Sequence, residues 1–155
     1  MSTVQLNHAV PECVCATTAN EALSLSSLKG KNIVIYFYPK DNTPGCTQEG
    51  QDFRDNYSAF QAANTEIFGV SRDSVRVHNG FKAKHEFPFE LISDPDESLC
   101  QLFDVIKLKK LYGKEYMGIE RSTFLINAEG VLVKEWRKVK VKEHVSDVLD
   151  SVLAL

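Results

Sequence analysis

The stretch Asn32-Ile33-Val34-Ile35-Tyr36-Phe37-Tyr38-Pro39-Lys40-Asp41-Asn42-Thr43-Pro44-Gly45-Cys46 passes from one structural grammar to another. Its first seven residues are almost entirely apolar and rich in β-branched and aromatic side chains, the pattern of a strand covered on both faces. Pro39 ends it. A turn-rich segment follows, and from Cys46 onward the positions Cys46, Gly50, Phe53, Tyr57 and Phe60 recur at helical spacing. Thr43 reads as the N-cap and Pro44 as the first helical residue, where a missing N–H costs nothing. Cys46 then lies in the first turn of a helix fed directly by a strand.

The same alternation continues outward. Glu66–Ser71 predicts a strand and Ser74–Phe87 a helix that stops before Pro88. Phe89–Ile92 predicts a short strand and Asp96–Phe103 a short helix. Ser122–Ile126 and Val131–Trp136 flank Asn127-Ala128-Glu129-Gly130, a hairpin signal. Val145, Val148, Leu149, Val152 and Leu153 give a last amphipathic helix. Strand, helix, strand, helix, then hairpin and helix describe an α/β sandwich with a parallel half and an antiparallel half. With no repeat, low-complexity tract or linker, residues 1–155 are expected to form a single domain.

Composition removes several function classes. The chain has 21 acidic and 18 basic residues and a net charge of -3, a balance that does not favour nucleic acid or anionic lipid. The basic runs Lys107, Lys109, Lys110, Lys114 and Arg137, Lys138, Lys140, Lys142 read as solvated faces. No apolar run approaches the roughly 20 residues that span a bilayer, and Met1 to His8 has neither a basic nor a continuous apolar leader region. A cytoplasmic protein is expected, and there Cys13, Cys15, Cys46 and Cys100 read as catalytic, ligating or buried before they read as a disulfide framework. A metal site built from them and from His8, His78, His85 and His144 is disfavoured, because no C-x-x-C or H-E-x-x-H spacing occurs. No metal or cofactor is expected.

Cys46 is the candidate nucleophile. Sites in open α/β sheets lie beyond the carboxyl ends of strands. At a helix start, free backbone N–H groups and the helix dipole favour a thiolate over a thiol. The alternative, a small buried hydrophobe, stays open on local physics alone. The wider segment Tyr36-Phe37-Tyr38-Pro39-Lys40-Asp41-Asn42-Thr43-Pro44-Gly45-Cys46-Thr47-Gln48-Glu49 resembles the P-x-x-x-T-x-x-C signature of peroxiredoxins. Its Thr-Pro-Gly-Cys-Thr wording resembles the bacterioferritin comigratory protein or peroxiredoxin Q branch. The resemblance extends to Ser93-Asp94 with Cys100 and to Arg121-Ser122-Thr123-Phe124-Leu125-Ile126, and so covers nearly the whole chain.

That resemblance implies a thioredoxin-like, three-layer α/β sandwich with a central mixed sheet flanked by helices. It implies a thiol peroxidase that reduces hydrogen peroxide and organic hydroperoxides through a sulfenic acid at Cys46. Thr43 would share its hydroxyl between sulfur and peroxide, Arg121 would supply a cation and planar donors, Pro39 would shield the pocket, and Glu49 would hold the arginine. Each has a plainer reading: cap, surface cation, strand terminator, and helix-start charge respectively.

The chain departs from the branch where the sulfenic acid must be resolved. A resolving cysteine five residues after the first would fall at Gln51, and Ser74–Phe87 contains none. The expectation is a one-cysteine mechanism in a monomer, recycled by an external thiol such as thioredoxin, glutaredoxin or glutathione. The alternatives are resolution by Cys100, Cys13 or Cys15, or a thioredoxin-like dithiol oxidoreductase, although the position three after Cys46 holds Glu49.

Overall fold

The computed structural model describes residues 3–19 and 21–155. Met1 and Ser2, part of the N-terminal stretch read above as lacking a leader, lie outside them. In chain order the elements are β1 (Val14–Thr17), β2 (Ala22–Ser24), a short 3-10 turn (Leu25–Leu28), β3 (Asn32–Phe37), α1 (Pro44–Asp55), α2 (Tyr57–Ala62), β4 (Thr65–Ser71), α3 (Val75–His85) and β5 (Glu90–Ser93). There follow α4 (Ser98–Leu102), β6 (Ile106–Leu111), β7 (Lys114–Ile119), β8 (Ser122–Ile126), β9 (Leu132–Trp136) and α5 (His144–Leu153).

Among the described residues, seven strands form one sheet in the order β2-β1-β5-β4-β3-β8-β9. β3 pairs parallel with β4 and antiparallel with β8, and β4 pairs parallel with β5. The mixed sheet therefore joins the predicted parallel and antiparallel parts at β3, and it carries a second antiparallel part that was not predicted, where β1 pairs with β5 and with β2. Period-two alternation sorts the side chains of β3 between two apolar layers. Val34, Tyr36 and Tyr38 pack with Cys46 and Phe53 of α1, Phe60 of α2, Phe81 of α3 and Val148 of α5. Ile33, Ile35 and Phe37 face the opposite layer with Cys15, Leu99, Cys100, Phe103 and Val105. A strand buried on both faces must be apolar throughout, which is why Asn32–Tyr38 shows no alternation in sequence.

Three local details differ from expectation. The helix predicted to run past Tyr57 breaks at Asn56 (φ -107°, ψ 6°), whose carbonyl starts α2 by accepting from Ala59 and Phe60. Thr43 has the extended backbone of an N-cap, but its hydroxyl donates to the Lys40 carbonyl at 2.8 Å instead of capping α1. Ser74, by contrast, accepts from the Val77 N–H and caps α3. Periodicity misses β2 and the hairpin β6–β7, a separate two-stranded sheet leading from α4 to Arg121. Its lysines were read as a solvated face, and it also exposes Leu108, Leu111, Tyr112 and Met117. Strands wet on both sides carry no burial pattern to read. The β8–β9 turn forms as expected: Asn127 Oδ1 accepts from the N–H groups of Glu129 and Val131, and Gly130 takes a φ of 85°.

Gly50 fixes how closely α1 approaches the segment after α3. A Cβ there would lie 2.4 Å from Phe87 Cζ. Gly50→Ala should destabilise the fold by about 1–3 kcal/mol through overpacking, measured by urea unfolding. A Phe87→Leu change in the same chain should recover part of the loss. An alanine variant as stable as the parent would remove this account of the packing.

Candidate active site

Cys46 is the third residue of α1 and is 2% exposed. The first helical hydrogen bond runs from Thr47 N–H to the Thr43 carbonyl, so the Gly45 and Cys46 N–H groups precede the helical ladder and point their positive ends at the same region. Arg121, the residue before β8, reaches across: its Nη2 lies 3.3 Å from Cys46 Sγ and its Nη1 2.6 Å from Glu49 Oε1. Gly45 leaves the space for it, since a Cβ at that position would sit 3.2 Å from Nη2. One planar guanidinium therefore touches sulfur and carboxylate together.

The charges at this contact are unequal in comfort. Glu49 is wholly buried, and burial pushes its carboxyl up to about 7, against the pull of Arg121. Burial works against the Arg121 charge too, but Glu49 and Cys46 outweigh it and hold its pKa above the usual arginine value. The predicted residues Cys46, Arg121 and Glu49 are thus brought into direct contact. Thr43 and Pro39, both half-buried, lie on the loop leading into α1. The Thr43 proton is committed to Lys40, which leaves its oxygen free as an acceptor.

Cys13, Cys15 and Cys100 are elsewhere. Cys15 and Cys100 belong to the apolar layer on the far side of the sheet from Cys46, and Cys13 packs against that layer. Cys13 and Cys15 are 3.8 Å apart at sulfur, as two residues on one face of a strand should be. Burial pushes all three thiols up, so they stay protonated near neutral pH. His144, which sequence reasoning weighed only as a metal ligand, is buried beside Thr123 Oγ1 at 2.7 Å, and burial lowers its pKa to about 4. Among the described residues, Asp41, Asp73 and His78 are near enough to share a cation, but Asp41 Oδ2 is bonded to His78 Nδ1 and Asp73 Oδ2 accepts from the Asp41 N–H and Ser71 Oγ.

An AhpC/TSA family model matches residues 6–135. The chain belongs to this peroxiredoxin family. Within it, the chain is 53% identical over 150 residues to peroxiredoxin Bcp of Bacillus subtilis, covering 97% of this chain and 96% of that one. Its fold superimposes on Xanthomonas campestris peroxiredoxin Q with a TM-score of 0.90 and 48% identity, over 99% of this chain and 97% of the other. A second Xanthomonas structure, of bacterioferritin comigratory protein studied for its alkyl peroxide reduction activity, gives a TM-score of 0.90 and 47% identity over 99% and 98% of the two chains. This peroxiredoxin is a thiol peroxidase with the thioredoxin-like fold. No described helix is long and apolar enough to cross a membrane.

Two buried groups give opposing pH dependences. Glu49 keeps its proton in the fold where the unfolded chain has already released it, so stability falls as pH rises from about 4.5 to about 7. His144 is kept neutral, so the stability it lends is present above about 6.5 and is lost as pH falls toward 4. Urea midpoints of Glu49→Gln between those limits should rise with pH more steeply than the parent's, by about 1–3 kcal/mol across the window. Parallel profiles for parent and variant would remove Glu49 from the account.

Proposed function

We propose that Cys46 is the peroxidatic residue, that Arg121 and Thr43 bind the peroxide around it, and that an external thiol returns it to the reduced state. The observation that carries this reading is the single guanidinium bridging Cys46 Sγ and Glu49 Oε1. It neutralises the thiolate and directs N–H groups at the space where a peroxide oxygen would become negative. Glu49 is the positioning residue that holds this guanidinium. Pro39, between β3 and the loop, limits water at the pocket wall.

The thiolate attacks one peroxide oxygen, the O–O bond breaks, and the departing alkoxide or hydroxide takes up a proton as alcohol or water. Thr43, its own proton already given to Lys40, accepts the hydrogen bond of the incoming hydroperoxide. Cys46 is left as sulfenic acid. An external thiol, attacking as its thiolate, then displaces hydroxide from that sulfur to form a mixed disulfide, the hydroxide leaving as water with the proton the thiol gave up. A second thiol, attacking as its thiolate, displaces Cys46 as thiolate.

The positions of the other cysteines favour an external reductant. Each lies across the sheet from Cys46 and is held protonated by burial, whereas resolution needs both contact and a thiolate. Dithiol exchange of the thioredoxin kind lacks a second sulfur, because Glu49 in that position is tied to Arg121. A single-domain, monomeric, cytoplasmic enzyme drawing on thioredoxin, glutaredoxin or glutathione completes the proposal.

Cys46→Ser should abolish hydrogen peroxide consumption with a thiol donor, and Arg121→Ala should slow the peroxide step by about 10²–10³-fold; a Cys46→Ser protein as active as the parent would end the reading. For resolution, the reduced protein is given one equivalent of peroxide and mapped by mass spectrometry. Cys46 sulfenic acid, trapped by added glutathione as a mixed disulfide, is expected. A quantitative disulfide from Cys46 to Cys100, Cys13 or Cys15 would replace the external thiol with an internal one.

A further inference from the structure

Asp41 lies in the loop between β3 and α1, five residues before Cys46, and is 3% exposed. Its Oδ1 accepts from Tyr38 Oη at 2.6 Å, and Tyr38, whose pKa is pushed up chiefly by burial, keeps the proton it donates. Its Oδ2 lies 2.6 Å from Nδ1 of His78 on α3, and both side chains of this pair are fully buried. Its backbone N–H donates to Asp73 Oδ2 at 2.8 Å, an oxygen that also accepts from Ser71 Oγ at 2.6 Å. No step of the peroxidase chemistry above uses this network.

The partners of His78 decide its proton count. Nε2 is 2.9 Å from the Ile92 carbonyl on β5, and a carbonyl oxygen only accepts, so Nε2 carries hydrogen. Ser71 Oγ, 3.5 Å from the same nitrogen, has given its proton to Asp73 and also presents only lone pairs. Nδ1 faces a carboxylate oxygen, and a contact that short needs a proton between the two atoms. Histidine and aspartate thus hold two protons together. Asp41 Oδ1 already accepts from Tyr38, which favours the carboxylate, and Asp73, with a carboxylate oxygen within 4.8 Å of the others, adds a second negative charge nearby. The second proton belongs on the ring.

We infer that His78 is a buried imidazolium that acts as the positioning residue for the Cys46 loop, clamping Asp41 so that α1 begins where Arg121 can reach the sulfur. The loop makes a tight bend there, with Asn42 at a φ of 65°, and Pro44 opens the helix two residues later. Asp41 is fastened through its side chain to Tyr38, the residue just after β3, and to α3, and through its backbone to the β4–α3 connection. Cys46 and Arg121 come from different elements, so their 3.3 Å contact depends on where the loop delivers the helix start. An ångström of misplacement at reacting groups costs about 100-fold in rate.

The inference rests on Cys46 being the attacking thiol, which the Cys46→Ser measurement decides separately; the ring protonation does not depend on it. Nitrogen NMR of the ¹⁵N-histidine-labelled parent at pH 7 should show both His78 nitrogens protonated, with the Nδ1 signal displaced in Asp41→Asn. An unprotonated Nδ1 in the folded parent would overturn the charge assignment. His78→Gln should lower the second-order rate of Cys46 with hydrogen peroxide about 10- to 100-fold. It should also cut the thiolate absorbance at neutral pH, while the KM for the thiol donor is unchanged. Where that variant does not fold, Tyr38→Phe removes one hydrogen bond from Asp41 and no charge, and a smaller loss in the same two readouts is expected. A folded variant with the parent's rate and thiolate absorbance would overturn the positioning role.

Discussion

Everything at the site turns on one half-buried guanidinium. Arg121 enters from the start of a central antiparallel strand and satisfies a carboxylate and a sulfur on consecutive turns of α1. An ionised Glu49 alone in an apolar layer would cost several kcal/mol, and so would Arg121 without its partner. Each tolerates burial because of the other, and the helix start adds the positive ends of unpaired N–H groups. The pairing is not comfortable: among the described residues nothing bonds Glu49 Oε2, and its carboxyl stays easier to protonate than an exposed one. Such tension is common where charge is held ready for chemistry.

The sheet is the second constraint. Because β3 is buried on both faces, consecutive residues report to different layers, and the four cysteines are divided between them. Cys46 shares its layer with aromatic rings and α-helices, and there it meets a helix terminus and the Arg121 cation. Cys15 and Cys100 share theirs with aliphatic and aromatic side chains that keep sulfur inert. The same residue type therefore carries two behaviours in one chain, set by which side of a single sheet it occupies.

Much of this was legible in advance where burial imposes a period. Asn32–Phe37, Thr65–Ser71 and the β8–β9 hairpin follow apolar runs and a turn that demands asparagine and glycine. The hairpin β6–β7 was not legible, because leucines and lysines that both face solvent give no alternation to detect. Asn56 broke a helix that spacing alone would have continued, and the Thr43 hydroxyl bonds the Lys40 carbonyl across the bend at Asn42 instead of capping the helix.

The amino-acid sequence by itself determined the α/β alternation, the strand-loop-helix that presents Cys46, and, through its motif, the residues gathered around that sulfur. Those are local properties: period, turn chemistry and the order of residue types along a few turns of chain. Tertiary structure decided which groups touch. Arg121 and Cys46 are 75 residues apart, and Asp41 and His78 are 37 apart. No local pattern encodes a contact across such a separation, because it is made only when β3, β8 and α3 are packed together. The separation of the cysteines onto opposite faces has the same origin, in the pleat of a sheet that must be assembled before it has two sides.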